Sequence, residues 1–161
     1  MPHPGPESFT LTLPSDTEIL IQRVFRIPRE RLFDVLTRPE HLRHWWGPRA
    51  MALIHTEMDV RPGGRFRHVL RGPDGGEFAF RGEYREVSPP ERVVSTFEFE
   101  GLPGHVSVET LTLIETAGLT TLSVLSQYSS REDRDGHLHS GMESGARESH
   151  DRLEELLAEL F

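Results

Sequence analysis

Five Gly- or Pro-bearing segments after Met51 constrain the fold of this chain more than any other feature: Pro62-Gly63-Gly64, Pro73-Asp74-Gly75-Gly76, Ser88-Pro89-Pro90, Gly101-Leu102-Pro103-Gly104 and Ala117-Gly118. Each joins residues that tolerate or fix unusual backbone angles to small or polar neighbours, the chemistry of tight turns. Between them lie about six runs rich in β-branched and aromatic residues. Such an alternation reads as an antiparallel meander. Aromatic side chains recur at alternate positions, at Phe78, Phe80 and Tyr84 and again at Phe97 and Phe99. One face of the sheet is therefore apolar and has to be covered.

The flanking segments supply more strand and the cover. Phe9 to Leu13 alternates with period two, Pro14-Ser15-Asp16 is turn-like, and an apolar run from Glu18 to Ile27 follows, which together read as a hairpin. Pro28 suits a helix start, and Leu32, Phe33, Val35 and Leu36 then form a stripe at helical spacing. Thr37-Arg38-Pro39-Glu40 has the pattern of a capping box opening a second short helix that ends at Trp45 and Trp46. At the other end, Leu138, Met142, Gly145 with Ala146, Ser149, Leu153, Leu156 with Leu157, and Leu160 fall on one face at steps of three and four, predicting a final helix of about 24 residues laid across the sheet. The expected fold class is α+β: a curved antiparallel sheet of about seven strands around a long C-terminal helix, with two short helices after the first strands. A length of 161 residues suits one domain, 1–161, and residues 1–8, rich in Pro, Gly and polar groups, read as a flexible leader.

Composition removes several function classes. A formal charge of -8 argues against a nucleic-acid partner, whose phosphates call for a basic surface. The chain has no cysteine, which excludes thiol nucleophiles, disulfides and thiolate metal sites. All 18 basic residues are arginine, so Schiff-base lysines and the P-loop lysine are excluded as well. No run of apolar residues is long enough to span a membrane, and the N-terminus MPHPGPES lacks signal-peptide character, so integral membrane contact is not expected and a cytoplasmic location is.

The most distinctive motif is the run Pro39 to Pro48, PEHLRHWWGP. Its paired tryptophans place roughly 400 Å² of aromatic surface at a helix-to-loop junction, where they serve either as a core plug or as the wall of an apolar cavity. Together with Asp59-Val60-Arg61-Pro62-Gly63-Gly64, the later GEYREVSPPER from Gly82 to Arg92, and the leucine-rich final helix, this run resembles the bacterial homologues of the heat shock protein 90 ATPase activator, within the START-like (SRPBCC) superfamily. The resemblance runs from about Thr17 to the C-terminus and implies a helix-grip fold, with a cavity between the C-terminal helix and the sheet. In the family the stretch matching Gly141 to Ala146 often reads Gly-Met-Glu-x-Gly-Trp. Ala146 stands here in place of that Trp, which implies a larger or more open cavity.

Candidate ligand-binding residues follow from this arrangement: Trp45, Trp46, Phe66, His68, Phe78, Phe80, Phe97, Met142, Ala146 and Ser149. The small residues Gly145, Ala146 and Ser149 either make room for a ligand or let the helix sit close to the sheet. His68, between Phe66 and Leu70 on an apolar parity, is the polar residue expected to face inward, as a satisfied core group or as a ligand contact. Glu109 and Gln127 with Tyr128 are further strand candidates, whose simpler placement is an outward, solvated face. His41 with His44, and His137 with His139, lack a carboxylate at metal-site spacing, so no metal site is expected. Asp59 and Arg61 read as turn structure. Gly141 to Gly145 places its serine one position too late for a nucleophile elbow, and no catalytic residue is assigned.

The expected function is binding of a small apolar or amphipathic molecule, as a carrier, sensor or stress-related protein, without a cofactor. An enzyme of cyclase, hydrolase or isomerase type using the same cavity is the alternative. A co-chaperone acting on an ATPase chaperone is a third class, although the eukaryotic activators carry an additional N-terminal domain that 161 residues do not hold. Homodimerisation is left open.

Overall fold

A computed structural model describes residues 8–161; most of the expected leader lies outside the described residues. The elements are β1 (Thr10–Thr12), β2 (Glu18–Phe25), α1 (Arg29–Leu36), α2 (Pro39–Leu42), β3 (Ala52–Met58), β4 (Arg65–Arg71), β5 (Glu77–Ser88), β6 (Arg92–Phe99), β7 (Val106–Thr116), β8 (Leu119–Gln127), α3 (Arg131–Leu138) and α4 (Met142–Leu160). The eight strands form one sheet in the order β1-β2-β8-β7-β6-β5-β4-β3, with every neighbouring pair antiparallel. The sheet is curved and does not close. Irregular pairings between Leu53 and His55 on β3, and between Tyr84 and Glu86 on β5, mark where two of its strands bend. The turn between β3 and β4 needs its glycine: a Cβ on Gly64 would stand 1.9 Å from the Asp59 carbonyl oxygen. Asp59 and Arg61 pair within that turn at 2.8 Å, as structural residues.

Two local expectations change, while the expected hairpin is present as β1–β2 and, with the six strands of the meander, brings the sheet to eight. Thr37 closes α1 instead of opening α2: its hydroxyl donates to the Phe33 carbonyl at 2.7 Å, and the residue before α2 is Arg38, with no side-chain cap. The long final helix is two helices. Gly141, at φ 86°, occupies the left-handed region and separates α3 from α4, and α3 has its own cap where Asp133 N donates to Ser130 Oγ at 3.0 Å.

Register fixes which side chains look toward the helices. On β2 the buried positions are Ile19, Ile21, Arg23 and Phe25, and strand pairing carries that inner face to Leu122 and Ser126 on β8 and to Glu109 and Leu113 on β7. From there it passes to Val93, Ser95 and Phe97 on β6, and at the far end to Phe66 and His68 on β4. The α4 helix buries Ser149, His150, Leu153, Leu156 and Leu157, whereas Leu160, at the end of the expected stripe, is 41% exposed. The main core joins α1, Trp45 and the leucines of α4 to the sheet, and a smaller cluster gathers Phe9, Ile19 and Ile21 with Leu138, Met142 and Ala146. No helix among the described residues is long and apolar enough to cross a membrane.

Candidate functional site

A row of polar residues crosses the inner face where the two apolar clusters meet. Ser95 on β6, Glu109 on β7 and Ser126 on β8 are direct cross-strand partners, with Tyr84 at one end of the row and Ile19 at the other. Glu109 thus lies on the inner face, not on the solvated one that its strand alone suggests. Its side chain makes no hydrogen bond or ion pair among the described residues. Burial pushes its carboxyl up to about 7, because removal from water disfavours the charged form. Even so, Ser95, Phe97, Glu109, Leu111, Val124 and Tyr128 are each only half-buried.

Tyr128, immediately after β8, and His137, in the last turn of α3, complete the polar group. The Tyr128 hydroxyl is hydrogen-bonded to His137 Nδ1, and the two rings meet edge to face at 5.6 Å. Burial and the neighbouring Glu109 carboxylate hold the phenol proton more tightly than usual, and burial lowers the pKa of His137, so both groups are neutral near physiological pH. The His137 ring also stacks over Phe97 at 6.4 Å. The site thereby offers one carboxyl that titrates near neutrality, one phenol and one neutral imidazole, set among aromatic rings.

The aromatic wall continues across β5 and β4. Phe80 stacks on Phe97 at 5.4 Å and meets Trp46 edge to face at 5.5 Å. Trp46 lies 4.9 Å from His68, which also stacks on Phe66 at 5.0 Å. His68 Nδ1 is 2.9 Å from Thr56 Oγ1, and burial lowers its pKa to about 4. It is a satisfied, neutral core histidine.

The other expected residues separate by role. Trp45 is buried in the main core, and its indole N–H finds no acceptor among the described residues. Phe66 is also core. Phe78 sits near the end of the wall, 37% exposed, 6.3 Å from Phe99. Ser149 is a tether: its hydroxyl donates to the Trp45 carbonyl at 2.9 Å and accepts from Gly47 N at 3.2 Å. Arg152 holds the same loop by donating to the Gly47 carbonyl at 2.9 Å. Met142 and Ala146 face the smaller cluster, half-buried.

Residues not foreseen include Arg23, fully buried on β2 and bonded to Asp151 and Glu154 of α4 at 2.6 Å each. Beside it His150, packed edge-on against Phe9 at 5.5 Å and Phe25 at 6.0 Å, is held neutral, its pKa lowered to about 4 by burial and by Arg23. The isolated arginine on an otherwise apolar parity was the available signal for that cluster. A surface groove of about 520 Å³ between α1 and Pro89-Pro90 is lined by Phe33, Val60 and Val87 and lies apart from the polar row. Among the described residues no group of three or more His, Asp or Glu side chains is placed to hold a metal ion.

Comparison with known proteins agrees with the fold. The family model described as Activator of Hsp90 ATPase homolog 1-like protein (AHSA1) matches residues 26–158. The chain belongs to this family. The AHSA1 fold is START-like, with a curved antiparallel sheet and a C-terminal helix. A structure from Rhodobacter sphaeroides is 27% identical, covering 94% of this chain and 99% of that one with a TM-score of 0.88. One from Mycobacterium smegmatis is also 27% identical, covering 92% and 96% with a TM-score of 0.84. An AHSA1 protein from Silicibacter pomeroyi, 22% identical over 89% of this chain and 99% of that one with a TM-score of 0.72, shares the fold. No curated protein matches the chain.

Proposed function

We infer that this AHSA1 protein binds a small amphipathic molecule in a recess between the inner face of the sheet and α3–α4, as a carrier or sensor. The observation that carries this reading is the Ser95–Glu109–Ser126 row. A carboxyl on the inner face, crowded enough by protein for burial to raise its pKa yet still reached by solvent, supports a recess over open surface. The small residues of α4 add support. A Cβ on Gly145 would meet Pro48 at 3.5 Å, an ordinary contact, so close approach does not demand glycine there. Trp46, Phe80 and Phe97 supply the apolar wall, and Glu109, Tyr128 and His137 the few polar groups that orient a ligand.

The test combines two measurements. Native mass spectrometry of protein purified from its own source reports small molecules that remain bound. In parallel, Ala146→Trp fills the recess, so it displaces an apolar fluorescent probe at small cost in stability. In a close-packed interface the same change overpacks and destabilises by roughly 1–3 kcal/mol. A variant that melts much lower, with no probe bound by either form, refutes the recess. The family description favours a second reading, stimulation of an Hsp90 ATPase; an unchanged ATPase rate on addition of this protein refutes it.

A further inference from the structure

We propose that the recess selects a ligand carrying a cationic amine on an apolar body, and that the Glu109 carboxylate is its ion-pair partner. The proposal rests on the ligand-binding reading above and adds the chemistry of the head group. Its basis is a difference between two charged residues on the same inner face. Arg23 has two carboxylates of α4 within 2.6 Å. Glu109, two strands away, has two serines beside it and no cation among the described residues. An inward carboxylate without a partner is a costly arrangement, and a ligand ammonium group removes that cost by pairing with it.

The surroundings suit the same cation. Tyr128 neighbours the carboxyl, and through His137 and Phe97 its ring continues into an aromatic wall that reaches Phe80; a primary or methylated ammonium is attracted to such faces. Ser95 and Ser126 offer hydroxyl acceptors for the remaining N–H groups. The formal charge of -8 favours the approach of a cation and opposes that of a fatty carboxylate.

The titratable and charged groups on the neighbouring elements are few. Tyr128 and His137 are neutral, as derived above. On α4 and β2, His150 is neutral and Arg23 is paired, and Arg147 lies over the Phe9 ring and 3.7 Å from Glu143. On β5, burial keeps the Tyr84 phenol at the end of the row protonated, and on β4 His68 is neutral. His105 pairs with Asp133 of α3 at 2.8 Å. Glu109 is therefore the group of the row whose ionisation between about pH 6 and pH 8 changes affinity for an amine, which itself stays charged throughout.

The experiment is a matched series, octylamine, octanol and octanoate, each competing with N-phenylnaphthylamine for the wild-type protein and for Glu109→Gln. At about pH 8 a charge-assisted bond to Glu109 makes octylamine ~10- to ~100-fold tighter than octanol, with octanoate weakest. The preference shrinks toward pH 5.5, by roughly the same factor, as Glu109 takes up its proton. In Glu109→Gln the amine preference and its pH dependence are lost, while octanol still binds. Equal binding of the three probes by the wild type, or an amine preference that survives in Glu109→Gln, overturns the head-group assignment alone. Failure of N-phenylnaphthylamine and all three octyl compounds to bind overturns the recess itself, and the assignment with it. If the variant does not fold, the wild-type pH series decides: an amine preference unchanged between about pH 8 and pH 5.5 overturns the assignment.

Discussion

Replacing Glu109 by Gln stabilises the ligand-free protein in a pH window set by the carboxyl itself. A carboxyl held at about 7 in the folded chain, against 4.5 as the ordinary value, stays protonated in the native state where the unfolded chain has already released its proton. Between those two values the native state binds more protons than the unfolded state, so stability falls as pH rises through the window and the penalty is constant above about 7. At ~1.36 kcal/mol for each tenfold change in proton affinity, the full effect is about 3 kcal/mol. Solvent access at the half-buried side chain reduces this to roughly 2 kcal/mol. The amide of the Glu109→Gln variant does not ionise and carries no such penalty. Urea unfolding of both proteins from about pH 4.5 to pH 8.5 should therefore give curves that coincide, apart from a constant offset, at the acid end and diverge by roughly 2 kcal/mol at the alkaline end. In thermal melts at about pH 8 the same gain raises Tm by roughly 5 °C for a chain of this length. Contributions from the histidines are common to both proteins and cancel in the difference. A difference that is flat across the range, or a variant less stable at about pH 8 than at about pH 5 relative to wild type, refutes the burial of this carboxyl.

Three further outcomes are expected. His150 is held at about 4, below the 6.5 of an unperturbed imidazole, so the unfolded chain takes up a proton that the folded one refuses and stability is lost as pH falls from 6.5 toward 4; His150→Phe should flatten that acid limb in urea titrations, and an unchanged limb counts against it. Breaking the buried pair from the acidic side, with Asp151→Asn and Glu154→Gln together, leaves Arg23 charged and unpartnered and should cost ~3–5 kcal/mol, whereas Arg23→Met, which removes the buried charge itself, should cost less; equal losses in denaturant melts contradict the assignment. Ser149→Ala removes the tether between α4 and the Trp45–Gly47 loop and should cost about 1–2 kcal/mol with a change in tryptophan fluorescence, and an unaltered spectrum indicates that the loop is held by other contacts.

What was legible in the sequence was mostly local. Turns are written in residues such as Gly64, whose missing Cβ is required by its own backbone neighbours, so the meander could be read without knowing what it packs against. The break at Gly141 was hidden because Leu138 and Met142 are four residues apart and continue a helical stripe across it. Thr37 fits a cap at either side of a junction, and only the bond to Phe33 decides which. The polar row was out of reach for another reason. Ser95, Glu109 and Ser126 lie on three different strands, each with polar residues on both parities, and they become neighbours only through the register that the bulges and turns set. Arg23 was readable in principle, since a single arginine interrupts the apolar parity Ile19, Ile21, Phe25.

The contrast between Arg23 and Glu109 bears on why the polar row sits where it does. A buried charge satisfied within the chain, as Arg23 is by Asp151 and Glu154, fixes the position of α4 on the sheet and has no capacity left for a ligand beyond its unpartnered Nε. Glu109 fixes nothing: no side chain of the described residues depends on it, and its removal should stabilise the fold. A group that the fold would be more stable without is a local inconsistency of the kind expected at functional positions. The main core borders the row at Tyr84, and its deepest side chains, Leu32, Val35 and Leu153, are entirely buried. From Ser149 onward, α4 is anchored through Ser149, Leu153 and the Arg23 cluster. Its first turns carry smaller contacts: Gly145 lies beside Pro48, and Met142 and Ala146 pack half-buried against the Phe9, Ile19 and Ile21 cluster.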